Sequence, residues 1–201
     1  KVLAGLGLHP AWVTRAETAE VEAGLAWLEG HLAEADVLGE AGLDYKWAAT
    51  DAQQTRQQDI LLRQFDLAER FGKPVNLHSR RAQRQTMERA IEFHRRTGLN
   101  AQFHWFTHSK KLVRICNEEG LYVSVGPTAI SDPQSQAVAL EIKRELLLLE
   151  TDAPVPIGGV PGHPARVGEV AAKLGELMGT TGAEVAALTA ANAERYLGAR
   201  S

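Results

Sequence analysis

Hydrophobic positions along the chain gather in short runs, separated by stretches with helical spacing. The runs are Val2 to Leu8, Val37 to Leu38, Val75 to Leu77, Ala101 to Phe103, Leu121 to Val125 and Leu146 to Leu149. They are largely continuous rather than alternating, as expected of parallel strands buried on both faces. Between them, Leu61, Phe65 and Ala68 repeat at helical spacing within Gln57 to Phe71, and Gly72 and Pro74 stop that helix. A second stripe of Val167, Val170, Ala171, Leu174 and Met178 predicts a helix over Arg166 to Met178, capped by Gly179. Strand-helix alternation of this kind predicts a parallel α/β architecture in one domain. Six strand-helix units can be read, whereas a closed (β/α)8 TIM barrel has eight and about 250 residues. A barrel reading therefore expects the first two units to lie before Lys1, with residues 1–201 carrying strands 3 to 8. A six-stranded doubly wound sheet competes on these counts.

Composition narrows the class without choosing a chemistry. The 201 residues are 44% hydrophobic and 23% charged, ordinary values for a globular protein with a sizeable core. No stretch approaches the roughly 18 to 20 apolar residues of a membrane span. A net charge of −3 argues against a molecule that binds nucleic acid through overall basicity, though not against a local basic face. The single cysteine, Cys116, cannot form an internal disulfide, which suits a reducing cytoplasm. Its place in the helical pattern Leu112 to Cys116 reads as a buried structural thiol. His31 and His94 fall in helical patterns and read as exposed. His163 reads as ordinary loop chemistry in the glycine- and proline-rich segment 158–164. No glycine-rich phosphate loop appears, so no nucleotide cofactor is expected.

The informative feature is where metal-competent side chains fall. His9 closes the first run, Glu40 the second, His78 the third, His104 the fourth and Asp152 the last. One such residue is ordinary; five in phase at the carboxyl ends of successive strands are not, because in a barrel those ends converge on one face. Imidazole with carboxylate is a ligand set for Zn²⁺, Mn²⁺ and similar cations. Glu150 lies two residues before Asp152, on the same side of an extended chain, where it can orient a histidine.

These residues also carry a family resemblance. Gly7-Leu8-His9-Pro10, Gly39-Glu40-Ala41-Gly42-Leu43-Asp44-Tyr45, Pro74-Val75-Asn76-Leu77-His78-Ser79-Arg80 and Leu149-Glu150-Thr151-Asp152-Ala153-Pro154 resemble segments of the TatD family of metal-dependent hydrolases. Gln57, Gln64, Leu67 and Ala68 resemble its helix after the glutamate strand, His104 and Phe106 its histidine strand end, and Thr189, Asn192 and Ala193 its closing helix. The resemblance implies a (β/α)8 hydrolase with one or two divalent cations (Mg²⁺, Mn²⁺ or Zn²⁺), commonly a deoxyribonuclease. It implies Glu40, His78, His104 and Asp152 as metal ligands, with Glu40 able to bridge two ions and His9 facing substrate phosphate. Many members begin with a His-x-His pair that this chain lacks. Where the family usually reads His-Cys-Phe, then a small residue and Gly, this chain has His104-Trp105-Phe106-Thr107-His108. Trp105 and His108 thereby become substrate contacts that can alter substrate range.

The implied reaction is metal-assisted phosphodiester hydrolysis with Glu40, Asp152 and His9 as catalytic groups and Asp152 accepting the proton of the attacking water. Single-stranded DNA, cleaved as by a 3'-5' exonuclease, is the expected substrate. Arg80, Arg81, Arg84, Lys110 and Lys111 follow ligand-bearing strands and suit phosphates; Trp12, Trp47 and Trp105 suit bases. Two rivals remain at this level: the same site acting on an amide, ester or lactone, and a non-catalytic barrel within a larger assembly.

Overall fold

A computed structural model describes residues 2–106 and 109–198. In chain order its elements are β1 (Gly5–Leu6), α1 (Pro10–Arg15), α2 (Thr18–His31), β2 (Val37–Asp44), α3 (Asp51–Phe71), β3 (Val75–Arg80), α4 (Gln83–Thr97) and β4 (Ala101–Phe103). There follow α5 (Lys110–Glu119), β5 (Tyr122–Val125), α6 (Pro133–Ala139), β6 (Leu147–Leu149), α7 (Val167–Met178) and α8 (Gly182–Tyr196). The chain forms two compact units, Lys1–Gln102 and Phe103–Ser201. No helix among the described residues is long and apolar enough to cross a membrane.

In the first unit β1 pairs with β2 and β2 with β3, all parallel as the buried runs predict. The core is filled by Leu28 on α2 and Leu32 just after it, Leu61, Phe65 and Ala68 on α3, and Phe93 on α4. The Phe65 and Phe93 rings lie 4.7 Å apart. The predicted apolar face of α3 is therefore the buried one, and the helix extends six residues earlier than its stripe suggested. Thr50 and Gln53 supply the reason: they form a reciprocal capping box that starts the helix at Asp51. Gly72, left-handed with φ 61°, ends it.

Two expectations about runs need correction. The first run, Val2 to Leu8, yields only the two-residue strand Gly5–Leu6, and Val2 is 96% exposed, so apolar composition there does not mean burial. The second run, read as ending before Glu40, continues as strand to Asp44. His94, expected exposed, is half-buried, its Nδ1 2.8 Å from the Leu99 carbonyl. His31 is exposed, and His163 caps a short 3-10 turn by accepting from the Ala165 N–H.

In the second unit β5 pairs with β6 in parallel register, Val123 opposite Leu147 and Val125 opposite Leu149. The Asn192 amide on α8 donates to the carbonyls of Arg144 and Leu147, both at 2.6 Å, and so fastens the closing helix to the start of β6. Gly182 lets α8 approach α7 closely: a Cβ there would sit 2.8 Å from the Ala172 Cα. Cys116 on α5 is buried, and desolvation pushes its thiol up to about 12.

Lys73 is buried, and its ammonium donates to the carbonyls of Ala33 and Ala35 where the chain leaves α2. Lys73→Met keeps the volume and strands both acceptors, so it should lower unfolding free energy by about 2 kcal/mol in a urea titration. At neutral pH the Cys116 thiol should stay silent to a disulfide reagent in the native protein and react in full once the chain is denatured.

Candidate metal centre

The site in the first unit is assembled by two buried glutamines on α3. Gln64 accepts from the Leu8 N–H at 2.7 Å and donates to the Leu8 carbonyl at 3.2 Å, as a neighbouring strand would. Seven residues earlier, on the same helix face, Gln57 accepts from the Asp44 N–H at 2.8 Å. Its amide nitrogen lies within hydrogen-bond distance of the Pro10 carbonyl (3.1 Å), the Thr14 hydroxyl (2.7 Å) and the Asp44 carbonyl (3.2 Å). These bonds satisfy backbone groups just beyond β1 and at the end of β2, and they hold His9 and Asp44 in place.

β2 does not run in even register along β3. Leu38 pairs with Val75 but Ala41 pairs with Leu77, three residues against two, which places a bulge at Gly39-Glu40. From the bulge on, Glu40 and Asp44 bring their carboxylates to the same ring, and Gly42 is the residue opposite His78. The imidazole accordingly spans two carboxylates. Its Nδ1 is 2.7 Å from Glu40 Oε1 and its Nε2 is 3.1 Å from Asp44 Oδ2. His9 completes the group: its Nε2 is 3.6 Å from Glu40 Oε1, and its ring lies edge-on to His78 at 4.7 Å.

One ligand atom from each of His9, Glu40 and His78 falls within 4.8 Å of the others, and all three residues are half-buried. The nitrogen and oxygen donors suit Zn²⁺ or Mn²⁺. The three are not equivalent, however. His9 is the N-cap of α1, and its Nδ1 accepts from the Ala11 N–H at 3.1 Å. In the neutral ring the proton must then sit on Nε2, which makes that atom a donor toward Glu40 or a substrate oxygen and not a metal ligand. Glu40 and His78 Nδ1 are the pair whose donor atoms meet.

In the second unit His104 follows β4 directly, and its Nδ1 is 3.5 Å from Glu150 Oε2. The same Glu150 carboxylate accepts the Trp105 N–H. Asp152 stands three residues beyond β6, not at its end. Trp105 (φ 43°), Asp152 (φ 52°) and Arg81 (φ 57°) are the non-glycine residues with left-handed backbone among those described, and each lies just past a strand. Held left-handed geometry of this kind concentrates at functional positions. Arg80 and Arg81 are exposed; Arg84 and Lys110 are engaged with Glu88 and Glu141. His108 lies outside the described residues. Asp44 carries no role in the sequence reading, although it stands in the Gly39-to-Tyr45 segment; its place four residues after Glu40 was the available signal.

Comparison with known proteins supplies an independent line. The profile of the family described as TatD related DNase matches residues 1–198. Human "Deoxyribonuclease TATDN3" is 29% identical over 202 residues, 96% of this chain and 73% of that protein. "Uncharacterized metal-dependent hydrolase TatD" of Mycobacterium tuberculosis is 32% identical over 212 residues, 98% of this chain and 77% of the relative. Among solved structures, the TatD homologue YjjV of Escherichia coli superposes with a TM-score of 0.81 at 30% identity, over 96% of this chain and 76% of that one. The fold is thus the TIM-barrel-like α/β fold of that homologue, and the doubly wound alternative falls away.

Gly42 has no room for a side chain. Its φ is 143°, and a Cβ on it would sit 2.0 Å from the His78 carbonyl oxygen. Gly42→Ala should cost about 3 kcal/mol or more, read as a large fall in melting temperature or as insoluble expression.

Proposed function

The chain belongs to the family of TatD related DNases, metal-dependent hydrolases, and from that membership we propose that it cleaves phosphodiester bonds of DNA, as a 3'-5' exonuclease on single strands. The observation that carries this reading is the convergence of His9, Glu40 and His78 within 4.8 Å. Glu40 and His78 would hold a divalent cation, with His104 and Asp152 as further ligands on the strength of the family motif. One or two such ions, Mg²⁺, Mn²⁺ or Zn²⁺, supply Lewis-acid activation of water and neutralise phosphate charge.

The chain's own groups do the rest. His9, with its proton held on Nε2 by the cap at Nδ1, donates to a phosphate oxygen. The Asp152 carboxylate accepts the proton of the attacking water. Arg80 contacts the phosphate backbone, and Trp105 offers a face to a base, with His108 beside it in sequence. Trp47 supports a nucleic-acid path in the first unit. It is 44% exposed, with the Arg15 guanidinium 5.0 Å and the Lys46 ammonium 5.6 Å from its ring centroid. A base and its phosphates find an aromatic surface and cations together there.

The test is hydrolysis of an end-labelled single-stranded oligonucleotide with Mg²⁺, Mn²⁺ or Zn²⁺ against EDTA, beside Glu40→Ala and Asp152→Asn. Metal-dependent shortening from the 3' end is expected, slower on a matching duplex, with both variants at least about 100-fold slower. A folded protein that cleaves DNA with none of these metals sinks the nuclease reading, and full turnover in Asp152→Asn removes the role given to Asp152.

A further inference from the structure

We infer that Asp44 is a positioning residue: it holds His78 through Nε2–H and thereby leaves Nδ1 as the ring nitrogen that a cation at Glu40 would take. The inference rests on the reading of Glu40 and His78 as a cation site, and it adds the group that makes His78 fit for that use. Asp44 is 1% exposed, at the last position of β2. Its two oxygens have separate duties. Oδ1 accepts the Lys46 N–H at 2.9 Å, and Oδ2 faces His78 Nε2 at 3.1 Å. Its backbone is bound by Gln57, so the carboxylate is not free to turn away.

A carboxylate only accepts, so both contacts take their hydrogen from the ring; a cation held at Glu40 takes the place of the Nδ1 hydrogen, while the buried Asp44 keeps the one on Nε2. A neutral imidazole with its proton on Nε2 has its lone pair on Nδ1. Nδ1 is the atom 2.7 Å from Glu40 Oε1, on the side where the two donor atoms meet. Carboxylates behind metal-binding histidines set tautomer and ring orientation in this way. Gly42, opposite His78, lets the two backbones close up at this point: a Cβ on it would sit 2.0 Å from the His78 carbonyl oxygen.

The geometry dictates a specific failure for Asp44→Asn. The Lys46 N–H is a fixed donor and keeps the one amide oxygen. The amide NH₂ then faces His78 Nε2, which must accept, and the proton moves to Nδ1. The volume and the turn bond survive, while the nitrogen facing Glu40 loses its lone pair.

Heteronuclear NMR of isotope-labelled histidines, with the His78 signal assigned from a His78→Gln variant, reads the tautomer directly in the metal-free and Zn²⁺-loaded full chain. Competition with a chromophoric chelator gives Zn²⁺ affinity. Zn²⁺-loaded wild-type protein should carry its one ring proton on His78 Nε2. Asp44→Asn should carry it on Nδ1 and bind Zn²⁺ about 10- to 100-fold more weakly, with an unchanged circular dichroism spectrum. A wild-type proton on Nδ1 alone overturns the inference, and that measurement decides even where the variant does not fold. So does a folded variant whose Zn²⁺ affinity stays within about twofold of wild type. Wild-type protein that binds no Zn²⁺ while its His78 proton sits on Nε2 would instead sink the cation reading and leave the Asp44–His78 pairing standing.

Discussion

The backbone of β2 must pass very close to β3, and the arrangement of the first unit depends on how it does so. A Cβ on Gly39 would lie 2.8 Å from Asn76, and one on Gly42 would lie 2.0 Å from the His78 carbonyl oxygen. Only bare backbone fits at both places. Between them the register slips by one residue, and that slip sorts the strand chemically. Leu38 lies before the bulge and Ala41 and Leu43 after it, and all three are fully buried. In an unbroken strand Leu38 would share a face with Glu40. The bulge separates them, so an apolar face and a face bearing two carboxylates coexist on one short strand.

The charged face is then organised by a single ring. His78 reaches Glu40 with one nitrogen and Asp44 with the other. Half-buried imidazole between a half-exposed and a buried carboxylate is an expensive arrangement for stability alone, since apolar residues of the same size would pack there without desolvating charge. Its retention makes sense where the ring has to be presented in one orientation, and the Asp44 side of the pair is the more deeply fixed.

Much of this was legible in the sequence, and the gaps have physical causes. Parallel pairing showed in the continuous runs of β3 and β5, and α3 showed in Leu61, Phe65 and Ala68. The second run seemed to stop at Leu38 because Gly-Glu-Ala-Gly carries no hydrophobic signal, although it is the part of the strand where backbones crowd. Val2 and Leu3 misled in the opposite sense: apolar residues without neighbours to cover them remain exposed. Asp44 was invisible as a site residue because its meaning lies in His78, 34 positions away. No local pattern encodes a contact of that range.

Gln57 and Gln64 show the same limit from another direction. Spacing places them on the face of α3 that also carries Leu61 and Phe65, where apolar residues would bury more hydrocarbon. Each instead matches a donor and an acceptor on the backbone of the β2 end or the segment after β1. Replacing either by leucine would gain apolar contact and leave those groups buried without partners, a loss of about 1 to 3 kcal/mol for each stranded group. The balance favours the amides because β1 ends at Leu6, so at Asp44 the end of β2 has a strand beside it on the β3 side alone. A rigid helix thus supplies what a sheet edge cannot. The side chains that meet at Glu40 inherit their positions from α3 as much as from the strands that bear them.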